Sequence, residues 1–89
     1  MSIVEARTEV VCSSDATLYF AWSAPEATVV TFAVAGSEHL FELPPKGNSV
    51  DDFPEQVEFP CPAEQETYRF VAISGTERDD VMVTVTSEP

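Results

Sequence analysis

Apolar and polar residues alternate along most of this chain, and turn-forming residues interrupt the alternation at intervals of roughly ten positions. In a β-strand, a period of two places successive side chains on opposite faces. The clearest example is the run Leu-Tyr-Phe-Ala-Trp at residues 18–22, which puts Leu18, Phe20 and Trp22 on one face. No stretch shows the period of about 3.6 residues that an amphipathic helix requires. The pattern therefore predicts an all-β protein built from short strands.

Prolines and glycines mark where these strands should end, because proline lacks an amide hydrogen and cannot continue a ladder. The alternation predicts seven strands, at residues 5–12, 17–23, 28–35, 39–43, 56–59, 67–74 and 81–86. Within residues 46–54, a turn is expected at 47–49 and a loop or a very short strand at 50–54. Residues 75–80 are expected to be a polar hairpin loop. Short strands with turns at this spacing are typical of an antiparallel sandwich of two sheets.

Length and charge limit the classes of function. The chain has 89 residues, which is enough for one domain, residues 1–89, with a single core. It carries 16 acidic residues against 4 basic ones, for a net charge of -12. Such a field repels nucleic-acid phosphates and anionic lipid surfaces, and it attracts cationic partners. We therefore expect a protein partner and no nucleic acid, since a nucleic-acid reader needs the opposite balance.

Neither a membrane segment nor an export signal is visible in the sequence. The longest charge-free stretches fall far short of the roughly 20 residues that a spanning helix needs. The first residues lack a basic region followed by an apolar one. We therefore expect no membrane insertion, and the localisation stays open.

The two cysteines, Cys12 and Cys61, stand at the ends of two predicted strands that finish at the same pole of a sandwich. A disulfide between them is therefore plausible, because it needs Cα atoms about 4.4–6.8 Å apart. Two free, partly buried thiols are the alternative. Zinc is not supported, because the cysteines are far apart and the chain has one histidine. A disulfide would favour an extracellular or cell-surface setting.

The order of motifs along the chain resembles a known group of domains. The motifs are Cys12, Leu18-x-Phe20-x-Trp22-Ser23, Val30-x-Phe32-x-Val34-x-Gly36, Phe59-Pro60-Cys61, Tyr68-x-Phe70-x-Ala72 and Val83-Thr84-Val85-Thr86. Together they are similar to bacterial immunoglobulin-like and fibronectin type III-like domains. The resemblance implies an antiparallel seven-stranded sandwich and a role in adhesion or protein binding. It also implies that Tyr68 forms a tyrosine corner, with its hydroxyl bonded to the backbone before its strand.

No set of residues suggests catalysis. His39 is the single histidine, and no carboxylate or nucleophile near it in sequence suggests a triad. No serine lies in a Gly-x-Ser-x-Gly elbow. The acidic residues also lack the alternating spacing and turn glycine of a calcium loop. We therefore expect no enzyme, no cofactor and no metal site.

The outward faces of the third, sixth and seventh predicted strands are unusually apolar. These strands are neighbours in the C–F–G sheet of an immunoglobulin-like sandwich. A contiguous apolar surface there is a candidate protein interface or homodimer face. Its predicted members are Val29, Thr31, Ala33, Val71, Ile73 and Met82. The sequence thus favours a non-enzymatic protein-interaction or spacer module that binds through this sheet or through its polar loops.

The acidic residues support an alternative function. A small acidic protein can imitate nucleic acid and occupy the basic groove of a partner, as an inhibitor, if its carboxylates approximate the phosphate spacing. Outward positions on one strand repeat only every 6.6–6.8 Å or so, so several strands and loops would have to contribute. The residues that would do so are Asp51, Asp52, Glu55, Glu58, Glu77, Asp79 and Asp80.

Overall fold

A computed structural model of the chain describes residues 1–36, 40–54 and 58–88. All regular secondary structure in these residues is β-strand, so the predicted all-β class is confirmed. The strands are β1 (Ser2–Ala6), β2 (Glu9–Val11), β3 (Phe20–Ser23), β4 (Val29–Val34), β5 (Phe41–Leu43), β6 (Lys46–Asn48), β7 (Gln65–Ser74) and β8 (Glu77–Glu88). The described part of the chain has no helix long and apolar enough to cross a lipid bilayer.

The strands form two sheets. A three-stranded sheet has the order β1-β3-β6, and a five-stranded sheet has the order β2-β8-β7-β4-β5. Neighbouring strands run antiparallel except for β2 and β8, which are parallel. Both sheets contribute side chains to one hydrophobic core. The structure thus has a three-plus-five arrangement of strands instead of the predicted seven-stranded one.

Aromatic side chains fill the space between the two sheets. Phe20 from the three-stranded sheet contacts Phe32 and Phe70 from the five-stranded sheet, with ring centroids 5.7 and 5.3 Å apart. Trp22 is buried beside them and donates its indole hydrogen to the carbonyl oxygen of Pro44 at 2.9 Å. Leu18, Phe20 and Trp22 are all buried, as the alternation predicts.

The first predicted strand is divided between the sheets. Residues 2–6 pair with β3, whereas residues 9–11 pair with β8. The chain changes sheets at its polar stretch: Arg7 N still donates to Tyr19 O, and Thr8 O already accepts from Thr86 N. The prediction of one strand over residues 5–12 was therefore wrong, because the apolar alternation is interrupted where the chain crosses over.

The fifth predicted strand is also displaced. On the side away from β1, the strand that pairs with β3 is β6, which lies in the region at residues 46–54 where a turn and a loop are predicted. Gly47 leaves room for the side chain of Asp52, because a Cβ there would lie 2.3 Å from Asp52 Oδ2. Of the predicted strand at residues 56–59, residues 56–57 lie outside the described residues. Glu58 forms a single bridge with Thr17, and Phe59 is buried.

The hairpin between the last two strands is tighter than predicted. β7 and β8 pair in register up to Ser74 and Glu77, so the turn consists of Gly75 and Thr76 alone. Gly75 has a φ of 63°, which suits the first central position of a type II′ turn. The charged residues of the predicted loop at 75–80 are therefore mostly strand residues. The predicted strand at 39–43 is shorter in the described residues, at Phe41–Leu43, and residues 37–39 lie outside them.

Tyr68 does not form the implied tyrosine corner. Its side chain is buried against Phe20 and Phe32, and its hydroxyl has no hydrogen-bond partner among the described residues. Burial, with a smaller contribution from the negative charge of Glu66, raises the pKa of Tyr68 to about 12. The residue therefore contributes ring packing and not a backbone hydrogen bond.

Arg7 and Asp15 fix the crossover between β1 and β2. The guanidinium Nη1 of Arg7 donates to Asp15 Oδ2 and to the carbonyl oxygen of Thr17, both at 3.2 Å. Asp15 Oδ1 accepts from Thr17 N at 3.0 Å. The hydrogen bonds from Thr17, followed by Arg7, lower the pKa of Asp15 from 3.8 to about 2.

Replacing Tyr68 with phenylalanine should not destabilise the protein. Tyr68→Phe removes a buried hydroxyl without a partner and keeps the ring, so the free energy of unfolding should stay equal or rise by up to about 1 kcal/mol. Urea denaturation measures this change. Tyr68→Ala is the control, with an expected loss of about 3–5 kcal/mol. A loss above about 1 kcal/mol in Tyr68→Phe would contradict the prediction.

Asp15 should contribute to stability in mild acid. Its pKa is lower in the folded state than the ordinary 3.8, so its contribution is complete above that pH and is lost as the pH falls towards 2. Thermal unfolding of the protein and of Asp15→Asn should be compared over this range. The melting temperature of the wild type should fall more than that of the variant. Parallel curves for the two proteins would show that the Asp15 carboxylate is not stabilised by folding.

Candidate functional site

The structure brings the six predicted interface residues to one face of the five-stranded sheet. We call them the outer patch: Val29, Thr31 and Ala33 on β4, Val71 and Ile73 on β7, and Met82 on β8. Val29 is directly opposite Ile73, and Thr31 is directly opposite Val71. Ala33 and Met82 are both opposite Arg69, one on each side of β7. The patch therefore covers the three neighbouring strands β4, β7 and β8.

The outer patch is more closed than the alternation suggests. Val71 and Ala33 are only 7% and 6% exposed, although they point away from the core, whereas Met82 is 60% exposed. Val71 and Ala33 line a shallow hollow of about 110 Å³, whose walls also include Leu40, Arg69 and Arg78. These three side chains were absent from the predicted set. Leu40 could have been found, because it precedes the inward-facing Phe41 in the alternating pattern.

An ion pair crosses the outer patch. Arg69 Nε donates to Asp80 Oδ2 at 3.1 Å, and the Nη2 of Arg69 also contacts that oxygen. Arg69 on β7 is opposite Met82 on β8, and Val71 on β7 is opposite Asp80 on β8. The ion pair of Arg69 with Asp80 therefore runs diagonally across the two strands and passes between Val71 and Met82. Met82 is therefore separated from the other members of the patch by a polar bridge.

The same face carries much of the positive charge of the molecule. Arg69 and Arg78 are two of the 4 basic residues, against 16 acidic ones. Arg78 on β8 is opposite Ile73 on β7, and it forms no ion pair with any described residue. An unpaired guanidinium beside an apolar surface is suited to bind a carboxylate of a partner protein.

The first group of predicted acidic residues follows β6 and stabilises a turn. Asn48 N donates to Asp52 Oδ2 at 2.9 Å, and Asn48 Nδ2 donates to Asp51 Oδ2 at 3.1 Å. Glu58 is exposed at its bridge with Thr17. Asp51 and Asp52 therefore belong to the layer of the three-stranded sheet. Glu55, the remaining member of this group, lies outside the described residues.

The second group belongs to the other layer. Glu77, Asp79 and Asp80 all lie in β8, and each is exposed. Asp80 is paired with Arg69, and Asp79 accepts a hydrogen bond from the amino group of Met1. The structure thus distributes the predicted acidic surface over two sheets, and it commits several of the carboxylates to contacts within the protein.

The structure contains the disulfide between Cys12 and Cys61, with Cα atoms 5.9 Å apart. This agrees with the pairing favoured by the sequence over free thiols or a zinc site. Cys12 N donates to Glu88 O at 3.0 Å, directly after β2. On the other side of β8, Ser87 N donates to Glu64 O at 2.9 Å. The disulfide therefore joins two segments that flank the last residues of β8.

No model of a known protein family matches this chain, and no curated protein or solved structure is detectably similar to it. Among residues 1–36, 40–54 and 58–88, no group of three or more His, Cys, Asp or Glu side chains is placed to hold a metal ion. The candidate functional surface is the outer patch, together with Arg78.

Proposed function

We propose that this chain is a non-enzymatic protein-interaction module that binds a partner through the outer patch. The observation that carries the proposal is the pairing of apolar side chains across β4 and β7 on the face directed away from the core. The outer face of an antiparallel sheet is usually solvated and polar. Apolar residues paired in register on that face are therefore better suited to a contact with another protein.

The strand order supports a place among immunoglobulin-like domains, which we include in the proposal. In the five-stranded sheet, β8, β7, β4 and β5 follow one another, which corresponds to the order G-F-C-C′ of a variable-type sheet. In the three-stranded sheet, β3 lies between β1 and β6, as strand B lies between A and E. Such domains commonly act as binding or spacer modules, but their functions depend on the particular surface.

The chemistry of the face suggests the kind of partner. Val29 and Ile73 are half-buried and adjacent to Arg78, so a complementary surface would be apolar with a carboxylate near the guanidinium. Elsewhere the net charge of -12 attracts molecules that are positive overall. The partner we propose is therefore a basic protein with a locally apolar contact surface.

A second copy of this chain is a special case of such a partner. Two copies would each carry a net charge of -12, so long-range repulsion opposes their association. Salt screens that repulsion, and a homodimer through the outer patch should therefore strengthen as salt is added. Light scattering at high protein concentration measures this directly, and a monomer at every salt concentration excludes the homodimer.

The acidic-inhibitor alternative receives less support from the geometry. Its carboxylates lie on two layers, and Asp51, Asp52 and Asp80 are engaged by Asn48 and Arg69. A mimic of nucleic acid needs its charges along one surface at the spacing of phosphates. Its binding would weaken steeply with salt, whereas an apolar contact would change little.

Adding a charge to the apolar surface tests the proposal. Ile73→Lys places an ammonium group in the apolar pair of Val29 and Ile73, next to Arg78, and it should weaken partner binding at least about tenfold. Thr84→Lys is the matched control, because it adds the same charge to an exposed position on the same face, beside Thr67. Each immobilised variant is used to retain proteins from a lysate of the source organism, at low and at physiological salt. Urea denaturation checks that both variants fold.

The expected result is a protein that the wild type and Thr84→Lys retain at both salt concentrations and that Ile73→Lys loses. Equal retention by all three proteins would contradict the outer patch as the binding surface. Retention that disappears at physiological salt for all three would instead favour the acidic-inhibitor alternative.

A further inference from the structure

The last residues of β8 are held along both edges. On one edge β2 runs parallel to β8, with Val11 opposite Glu88, and Thr86 N donates to Thr8 O at 2.9 Å. On the other edge β7 begins opposite Thr86, and Ser87 donates hydrogen bonds to the backbone that precedes β7. The disulfide joins the chain leaving β2 to the chain approaching β7. The disulfide therefore connects, by a covalent bond, the two segments that lie on either side of the end of β8.

β2 has few other attachments. It is three residues long, and among the described strands it pairs with β8 alone. Val10 is buried in the core, but Glu9 and Val11 on either side of it are exposed. A three-residue parallel strand offers few hydrogen bonds against the entropy lost in ordering it. Its position next to β8 therefore depends strongly on the covalent link at Cys12.

The disulfide is open to attack from solvent. Cys61 is exposed, whereas Cys12 is half-buried. Exposed disulfides are reduced more readily than buried ones, because a thiolate must reach one of the sulfur atoms. Cys61 is the more exposed of the two residues, and it lies in a segment without regular structure between Phe59 and β7.

We propose that Cys12–Cys61 is a redox-sensitive latch, and that its reduction by a dithiol releases β2 from β8 while the rest of the sandwich stays folded. One thiolate of the dithiol bonds to Cys61 Sγ and breaks the Cys12–Cys61 bond, and Cys12 leaves as a thiolate that takes up a proton. The second thiolate of the dithiol then displaces Cys61, closes the dithiol's own disulfide, and leaves Cys61 as a thiol. Two electrons and two protons are transferred to the protein.

Release of β2 changes the character of β8. Thr86 N and Glu88 O lose their partners Thr8 O and Cys12 N, which flank β2, so the end of β8 changes from an interior strand to an edge strand. An unpaired strand edge can add a further strand from another chain. The two sheets remain joined by the aromatic core, which lies between β3, β4 and β7 and does not include β2 apart from Val10.

Hydrogen exchange measured by mass spectrometry tests the latch on the full chain. The oxidised protein and the protein treated with dithiothreitol are compared, and alkylation mass confirms reduction. We expect amides in residues 8–12 and 86–88 to exchange at least about tenfold faster after reduction, and amides of β4 and β7 to keep their protection. Unchanged exchange in residues 8–12 and 86–88 would overturn the proposal. So would loss of protection throughout the chain, which would make the disulfide a requirement for the whole fold.

A double variant separates the effect of the bond from that of the reductant. Cys12→Ser with Cys61→Ser should show the exchange pattern of the reduced protein without dithiothreitol, and the reagent should then change nothing further. If this variant does not fold, the reduced wild type still decides the question. A disulfide that persists in the folded protein, at dithiothreitol concentrations that reduce the urea-unfolded chain, would also contradict the proposal.

Discussion

The contact of Phe20 with Phe32 and Phe70 is the interaction on which the two-layer structure depends. In the described residues, strands pair only within each sheet, so side chains between the sheets must hold the layers together. A short chain buries only about 60–65% of the surface that it exposes when unfolded. It also carries a net charge of -12, whose self-repulsion opposes compaction. Large buried rings supply more apolar area per residue than aliphatic side chains do, and Trp22 and Tyr68 extend the same cluster.

Features that depend on local alternation could be predicted from the sequence. Alternation predicts the inward faces of the second and third strands, because Leu18, Phe20, Trp22, Val30 and Phe32 alternate with residues directed outward and all five are buried. The start of the second strand is less well predicted, since β3 covers Phe20–Ser23 of the predicted residues 17–23. β6 could not be found in this way, since Lys46, Gly47 and Asn48 have no apolar alternation and pair with β3 because of long-range geometry. The division of residues 5–12 between two sheets likewise depends on partners more than 70 positions away, at Thr86 and Glu88.

The outer patch shows the same division between local and long-range information. Alternation predicts the direction in which its six members point, and they lie on one face of the five-stranded sheet. Whether they are open to solvent depends also on long neighbouring side chains. Alternation alone places Arg69 on the same face as Val71, and it directs Leu40 outward beside Phe41, whereas the position of Arg78 follows from the pairing of β7 with β8. The ion pair between Arg69 and Asp80 depends on the register of β7 and β8, which in turn follows from the two-residue turn at Gly75.

The parallel pairing of β2 with β8 has a consequence for the order in which the protein folds. During synthesis β2 leaves the ribosome long before its partner residues, Thr86 to Glu88. Contacts between such distant positions form late, because a long loop must be closed first. The three-stranded sheet and the hairpin of β4 and β5 have their partners available earlier. Until β8 has emerged, residues 9–11 have no strand to join, so the nascent chain exposes Val10, which the folded protein buries.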